Sequence, residues 1–129
     1  MKVEYYDDML EKFTGNKVIS FTKFGSCQGS WVAAVKNGNE VELWKGSYGS
    51  CSGCDFIQSV RDWTTHEIED DEVKNYFREE RPFLSIEETL LKEMSLSEFD
   101  SIVPRNIRKE LYDFDSRDLY TDIVSALKE

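Results

Sequence analysis

Apolar residues follow two spacings along this chain, and the change from one to the other predicts where strands give way to helices. Near the start, Tyr6, Met9, Leu10 and Phe13 recur at helical spacing and Gly15 follows. That pattern predicts a short amphipathic helix closed by a glycine. Lys17 to Phe24 is rich in β-branched and aromatic residues and reads as a strand. Ser30 to Lys36 and Asn39 to Trp44 then flank Asn37-Gly38, the signal of a two-residue type I′ hairpin. Such a turn sets Val35 against Glu40, Ala34 against Val41, Val32 against Leu43 and Trp31 against Trp44. Val32, Ala34, Val41 and Leu43 then share a wholly apolar face. The opposite face mixes Trp31, Ala33 and Val35 with Glu40, Glu42 and Trp44 and is expected to be half solvated.

A Gly/Ser/Cys loop, Lys45 to Gly53, leads into a helix with Phe56, Ile57, Val60 and Trp63 on one face and Asp55 near its start. Everything beyond residue 67 reads as helical. Val73, Tyr76 and Phe77 mark one helix, stopped before Pro82. Ser85 with Glu88 has the spacing of a capping box for Ile86, Leu90 and Leu91, and Ser95 with Glu98 for Leu96, Phe99 and Ile102. Pro104 suits the first turn of a helix carrying Ile107 and Leu111, and Ser116 can cap a last one striped by Leu119, Ile123 and Leu127. The expected fold is α+β: a small antiparallel sheet built on a β-hairpin, covered by helices, with a helical C-terminal half. A chain of 129 residues suits one domain, with the hairpin and cysteines in 1–66 and the acidic helices in 67–129.

Charge sharpens that division. The formal net charge is -10. Residues 1–66 hold seven Lys/Arg and eight Asp/Glu, for -1; residues 67–129 hold nine and eighteen, for -9. A surface of this sign repels nucleic acid directly and attracts basic protein surfaces over about a Debye length. Its candidate contact residues are Glu69, Asp70, Asp71, Glu72, Glu79, Glu80, Glu87 and Glu88. No apolar run approaches ~18 residues, so no membrane partner is expected, and the first eight residues lack a signal core. A cytoplasmic compartment follows. Phosphate-loop, dinucleotide and HExxH motifs are all missing, and a single histidine leaves little for acid–base work, so an enzyme is not expected.

Three cysteines in a reducing compartment point to metal ligation or thiol reactivity rather than a disulfide framework. Cys27 and Cys51 leave the same end of the hairpin, and Cys54 is three residues on, at a helix start. The expected site is therefore a structural Zn²⁺ held by Cys27, Cys51 and Cys54. Structural zinc normally takes four ligands, leaving His66 or Asp55 for the fourth. A straight helix from Asp55 to His66 would be ~16 Å long, so His66 can ligate only if that helix ends early. Alternatives are a thiol–disulfide pair of Cys51 and Cys54, whose thiol pKa a helix N-terminus would lower, or ordinary buried thiols.

Gly25-Ser26-Cys27-Gln28-Gly29 resembles a zinc knuckle, and a knuckle, a hairpin and a helix bearing C-x2-C resemble the treble-clef arrangement. The departure is Phe24, where a full knuckle has its second cysteine. Tyr48-Gly49-Ser50-Cys51-Ser52-Gly53-Cys54-Asp55, after a hairpin with Trp31 and Trp44, resembles a motif of small phage and prophage proteins. In size, acidity and lack of catalytic equipment the chain is similar to phage-encoded anti-CRISPR proteins that inhibit type II effector nucleases. That resemblance implies a zinc-stabilised inhibitor in the host cytoplasm, blocking a basic nucleic-acid-binding groove of the nuclease. A zinc-stabilised adaptor domain would use the same site and surface.

Overall fold

A computed structural model describes residues 1–51, 53–78 and 80–129. Four strands form one antiparallel meander in the order β1 (Lys17–Gly25), β2 (Gly29–Asn37), β3 (Glu40–Tyr48) and β4 (Leu84–Glu87). Helices cover both faces, giving an α+β architecture of three layers. The helices are α1 (Tyr6–Thr14), α2 (Phe56–Val60), α3 (Asp70–Phe77), α4 (Glu88–Glu93), α5 (Leu96–Ile102), α6 (Arg105–Glu110) and α7 (Ser116–Leu127).

The hairpin forms, but its register is two residues from the expected one. Asn37 pairs with Glu40, Val35 with Glu42, Ala34 with Leu43, Ala33 with Trp44 and Trp31 with Gly46. The turn residues are Gly38 and Asn39 rather than Asn37 and Gly38. Gly38 has φ 63° while Asn39 does not have positive φ, which is the sign pattern of a type II′ turn. The packing shows what this register accomplishes. The Trp31 ring lies over Gly46, where a Cβ would stand 2.3 Å from the indole. Pairing Trp31 with Trp44 would instead have set two indoles side by side.

A two-residue shift preserves side-chain parity, so the apolar face survives as expected. Val32, Ala34, Val41 and Leu43 pack with Leu91 of α4, Phe99 of α5, Ile107 of α6 and Leu119 and Ile123 of α7. The other face is not half solvated. Trp31, Ala33, Val35 and Trp44 are buried under Tyr6, Met9 and Leu10 of α1, Ile57 of α2 and Val73 and Phe77 of α3. A bulge in β1 between Val18 and Ser20 allows both Val18 and Phe21 to serve this second core although their numbers differ in parity.

The C-terminal half is not helical throughout. Leu84–Glu87 is a strand paired with Glu40–Leu43, and Ser85 donates its hydroxyl to Glu40 at 2.8 Å instead of capping a helix. The Ser95–Glu98 capping box does form, with 3.1 Å for each of its two bonds. Pro104 is the N-cap of α6 rather than part of its first turn, and Asp115, not Ser116, caps α7. No described helix is long and apolar enough to cross a membrane.

Candidate functional site

The sequence-predicted residues fall into two places: a cysteine-bearing end of the sheet and an acidic cleft beside α3.

At the sheet end, the buried Tyr48 closes β3. Its hydroxyl donates to the carbonyls of Phe24 and Ser26, each at 3.2 Å. That bond ties the start of the cysteine loop to the β1–β2 turn, where Cys27 is exposed and unbonded. Cys51 and Cys54 are in sulfur–sulfur contact, with Cα atoms 5.3 Å apart. The Cys51 amide donates to Cys54 Sγ at 3.0 Å and the Cys54 amide to the Cys51 carbonyl at 3.1 Å. All three cysteines therefore leave one end of the sheet, and two of them meet. The register sets Gly29 opposite Tyr48 at this end of the sheet, so Cys27 lies beyond the last paired residue.

Asp55 anchors the loop from below. It is buried, and its two oxygens accept from the Tyr6 hydroxyl at 2.8 Å, the Gly49 amide at 2.9 Å and the Gln58 amide at 3.1 Å. The last of these caps α2. Burial, reinforced by the Asp55 carboxylate it bonds, pushes the Tyr6 phenol far above its ordinary value, so it is a donor throughout the accessible range. Gln58 completes the clamp by donating to the Gly49 carbonyl at 3.1 Å. Among the candidate fourth ligands, Asp55 is thus committed to holding the loop. The helix preceding His66 does end early, at Val60, but the ring's Nδ1 lies 3.4 Å from the Glu4 carboxylate. Among the described residues, no group of three or more His, Cys, Asp and Glu side chains is gathered as a metal shell.

The second place is a cleft of about 810 Å³ between the loop after α2 and the N-terminal turn of α3. Five acidic residues, Asp62, Glu67, Glu69, Asp70 and Asp71, line it together with Trp63. Asp62 accepts from the amides of Thr64 at 2.8 Å and Thr65 at 3.0 Å, and these bonds hold its carboxyl below the usual range. The loop is closed further by the Asp62 amide on the Glu67 carbonyl and the His66 amide on the Asp62 carbonyl, both 2.9 Å. It therefore presents Trp63 outward, 67% exposed, where the sequence pattern had placed it on the buried face of a longer helix. Arg61, which also lines the cleft, is turned to the Val3 and Glu4 carbonyls. The Met1 amine reaches Asp70 at 3.0 Å.

The remaining predicted contact residues are dispersed. Glu72 is exposed in the first turn of α3. Glu80 lies beyond the other end of α3, beside Tyr76. Glu87 is exposed in β4, and Glu88 accepts from Lys36 at 3.4 Å and lies 3.8 Å from Lys92. Glu79, like Ser52, lies outside the described residues. Sequence reasoning missed Tyr6, Tyr48 and Gln58 at the first place and Asp62, Trp63 and Glu67 at the second. Tyr6 and Asp55 are 49 residues apart, so no local pattern joins them.

Neither a family model, nor a curated protein, nor a solved structure matches the chain.

Proposed function

We propose that this chain is a protein-binding inhibitor or adaptor that receives a basic surface of its partner on the cleft beside α3. The observation that carries the reading is that five acidic residues line one concavity together with the most exposed of the three tryptophans. Acidic charge alone would only keep a protein soluble. Charge around an aromatic anchor matches the arrangement in which long-range attraction speeds encounter and one buried ring supplies affinity. A partner that binds nucleic-acid phosphates has the required basic groove, and a guided nuclease is the member of that class to which the resemblance points.

The test uses a fluorescein-labelled peptide rich in lysine and arginine, titrated against the intact chain, and then the type II effector nuclease. Binding should weaken steeply with added salt and should shield Trp63 from iodide quenching. Salt-insensitive binding that leaves Trp63 quenchable would place the interface elsewhere.

The cysteine end belongs to the same proposal as its structural element. Zinc held by Cys27, Cys51 and Cys54 would crosslink the β1–β2 turn to the loop before α2. In support, all three cysteines leave one end of the sheet, and Tyr48 tethers the third cysteine's turn to the strand end that leads to the other two. The contact between the Cys51 and Cys54 sulfurs favours a second reading, a thiol–disulfide couple of these two residues. Metal analysis with thiol titration separates them. About one zinc per chain, released as the thiols are blocked, supports the structural site. Metal-free protein with a reversibly reducible Cys51–Cys54 bond supports the couple.

A further inference from the structure

The sheet carries a second binding feature, at the edge of β3. β4 pairs with β3 only over Glu40–Leu43, whereas β2 pairs with it along its full length to Tyr48. The side of β3 that faces away from β2 is identified by the Phe83 amide, which donates to the Leu43 carbonyl at 2.9 Å. In an antiparallel strand, residues two apart direct their N–H and C=O to the same side. Lys45 and Ser47 therefore turn their backbone groups to the edge that β4 leaves uncovered, while Trp44 and Gly46 bond to β2. No hydrogen bond from another described residue reaches the Lys45 or Ser47 backbone on that side.

This edge is recessed. It forms the floor of a groove of about 340 Å³, with Tyr76 and Glu80 on one wall and Glu110 and Leu111 on the other. The Lys45 ammonium lies 3.2 Å from the Glu110 carboxylate, so Glu80 is the wall's remaining free charge among the described residues lining the groove. Gly46 has no side chain and the Trp31 ring lies over it, so the open space on that face is the part of the groove lined by Tyr76 and Glu80.

We propose that this groove binds an extended segment of a partner protein, which adds to β3 as a strand and sets a lysine or arginine opposite Gly46. The main-chain ladder to Lys45 and Ser47 supplies the affinity common to strand addition, and the Glu80 carboxylate and Tyr76 ring receive the basic side chain. The walls select the occupant: a single peptide strand fits between them, whereas the sheet edge of a second copy, flanked by its own helices, would be held off. Unpaired strand edges in proteins are normally blunted or covered, which is the general reason to look for a natural occupant. The groove lies past the C-terminal end of α3 and the acidic cleft at its N-terminal end, so the two proposals stand or fall separately.

Amide hydrogen exchange on the intact chain tests it. The probes are octapeptides of alternating valine and threonine with one central lysine, supplied at millimolar concentration. In the free protein, Trp44 and Gly46 amides should exchange slowly and Lys45 and Ser47 amides fast. With the probe, Lys45 and Ser47 should slow by about tenfold or more, and a probe with proline at alternate positions should lose the effect. Glu80→Gln should weaken the lysine probe and leave its norleucine counterpart unchanged. Slow exchange at Lys45 and Ser47 in the free protein would overturn the proposal, as would equal binding of the proline probe or unchanged exchange with every probe.

Discussion

Asp55 and Gly46 show how much single positions decide here. Asp55 is the residue from which the cysteine loop hangs, because its carboxylate answers Tyr6, Gly49 and Gln58 at once. Asp55→Ala would leave a buried phenol and a helix-start amide unpartnered. We expect a loss of about 2–4 kcal/mol, the sum of a lost cap and a stranded hydroxyl, read as a fall in melting temperature. Tyr6→Phe takes one donor from Asp55 but leaves it the Gly49 and Gln58 amides, and should cost about 1–2 kcal/mol, less than Asp55→Ala. Equal losses in the two variants would contradict this account. Gly46 acts by absence. Gly46→Ala sets a methyl against the Trp31 ring, and the expected destabilisation is about 1–3 kcal/mol, with altered Trp31 fluorescence.

At the scale of elements, the two serines proposed as caps separate local pattern from tertiary structure. Ser85-x-x-Glu88 and Ser95-x-x-Glu98 look alike, but only the second is a cap. Ser95→Ala should cost about 1 kcal/mol, while Ser85→Ala, which loses only an exposed bond to Glu40, should stay within about 0.5 kcal/mol. A chemical-denaturation pair checks both. The difference explains what was legible. The amphipathic helices and the glycine-led hairpin are local signals, and both appear in the structure. The hairpin's register was not legible, because Asn37-Gly38 and Gly38-Asn39 are both acceptable turns and the choice coincides with Trp31 lying over Gly46, fifteen residues away. β4 was hidden for a similar reason. Four residues are too few to display alternation against a neighbouring capping pattern, and their strand character is expressed against β3, more than forty positions earlier.

The sheet end illustrates the same limit for the site. Hairpin connectivity led to the expectation that the Cys27, Cys51 and Cys54 thiols converge; in the structure Cys51 and Cys54 meet, while Cys27 is free and exposed on the β1–β2 turn. The Asp55–Tyr6 clamp and the Tyr48 tether are long-range and had no sequence signature. For the acidic cleft, the run Glu69–Glu72 was visible as charge, but Trp63 was assigned inward, because nothing in its spacing revealed that α2 stops at Val60 and that Asp62 folds the following loop outward.

For the whole molecule, the three-layer build leaves function to the periphery. Both faces of the sheet are spent on core packing, so the proposed sites lie at its margins: the cysteine end, the β3 edge and the cleft at the start of α3. Trp31 and Trp44 are buried, and Trp63 is open, so quenching experiments report on the cleft almost exclusively. Trp63→Ala should leave stability within about 0.5 kcal/mol of the parent while weakening partner binding, because the ring contributes little to the core. The most direct test of the cleft's role is equilibrium titration of the basic probe peptide against the parent chain and against a triple variant, Asp62→Asn with Glu69→Gln and Asp71→Asn, at about 50 mM and about 500 mM salt. The account predicts tight, salt-sensitive binding to the parent and a loss of both affinity and salt dependence in the variant. Equal affinity of the two proteins at low salt would contradict it.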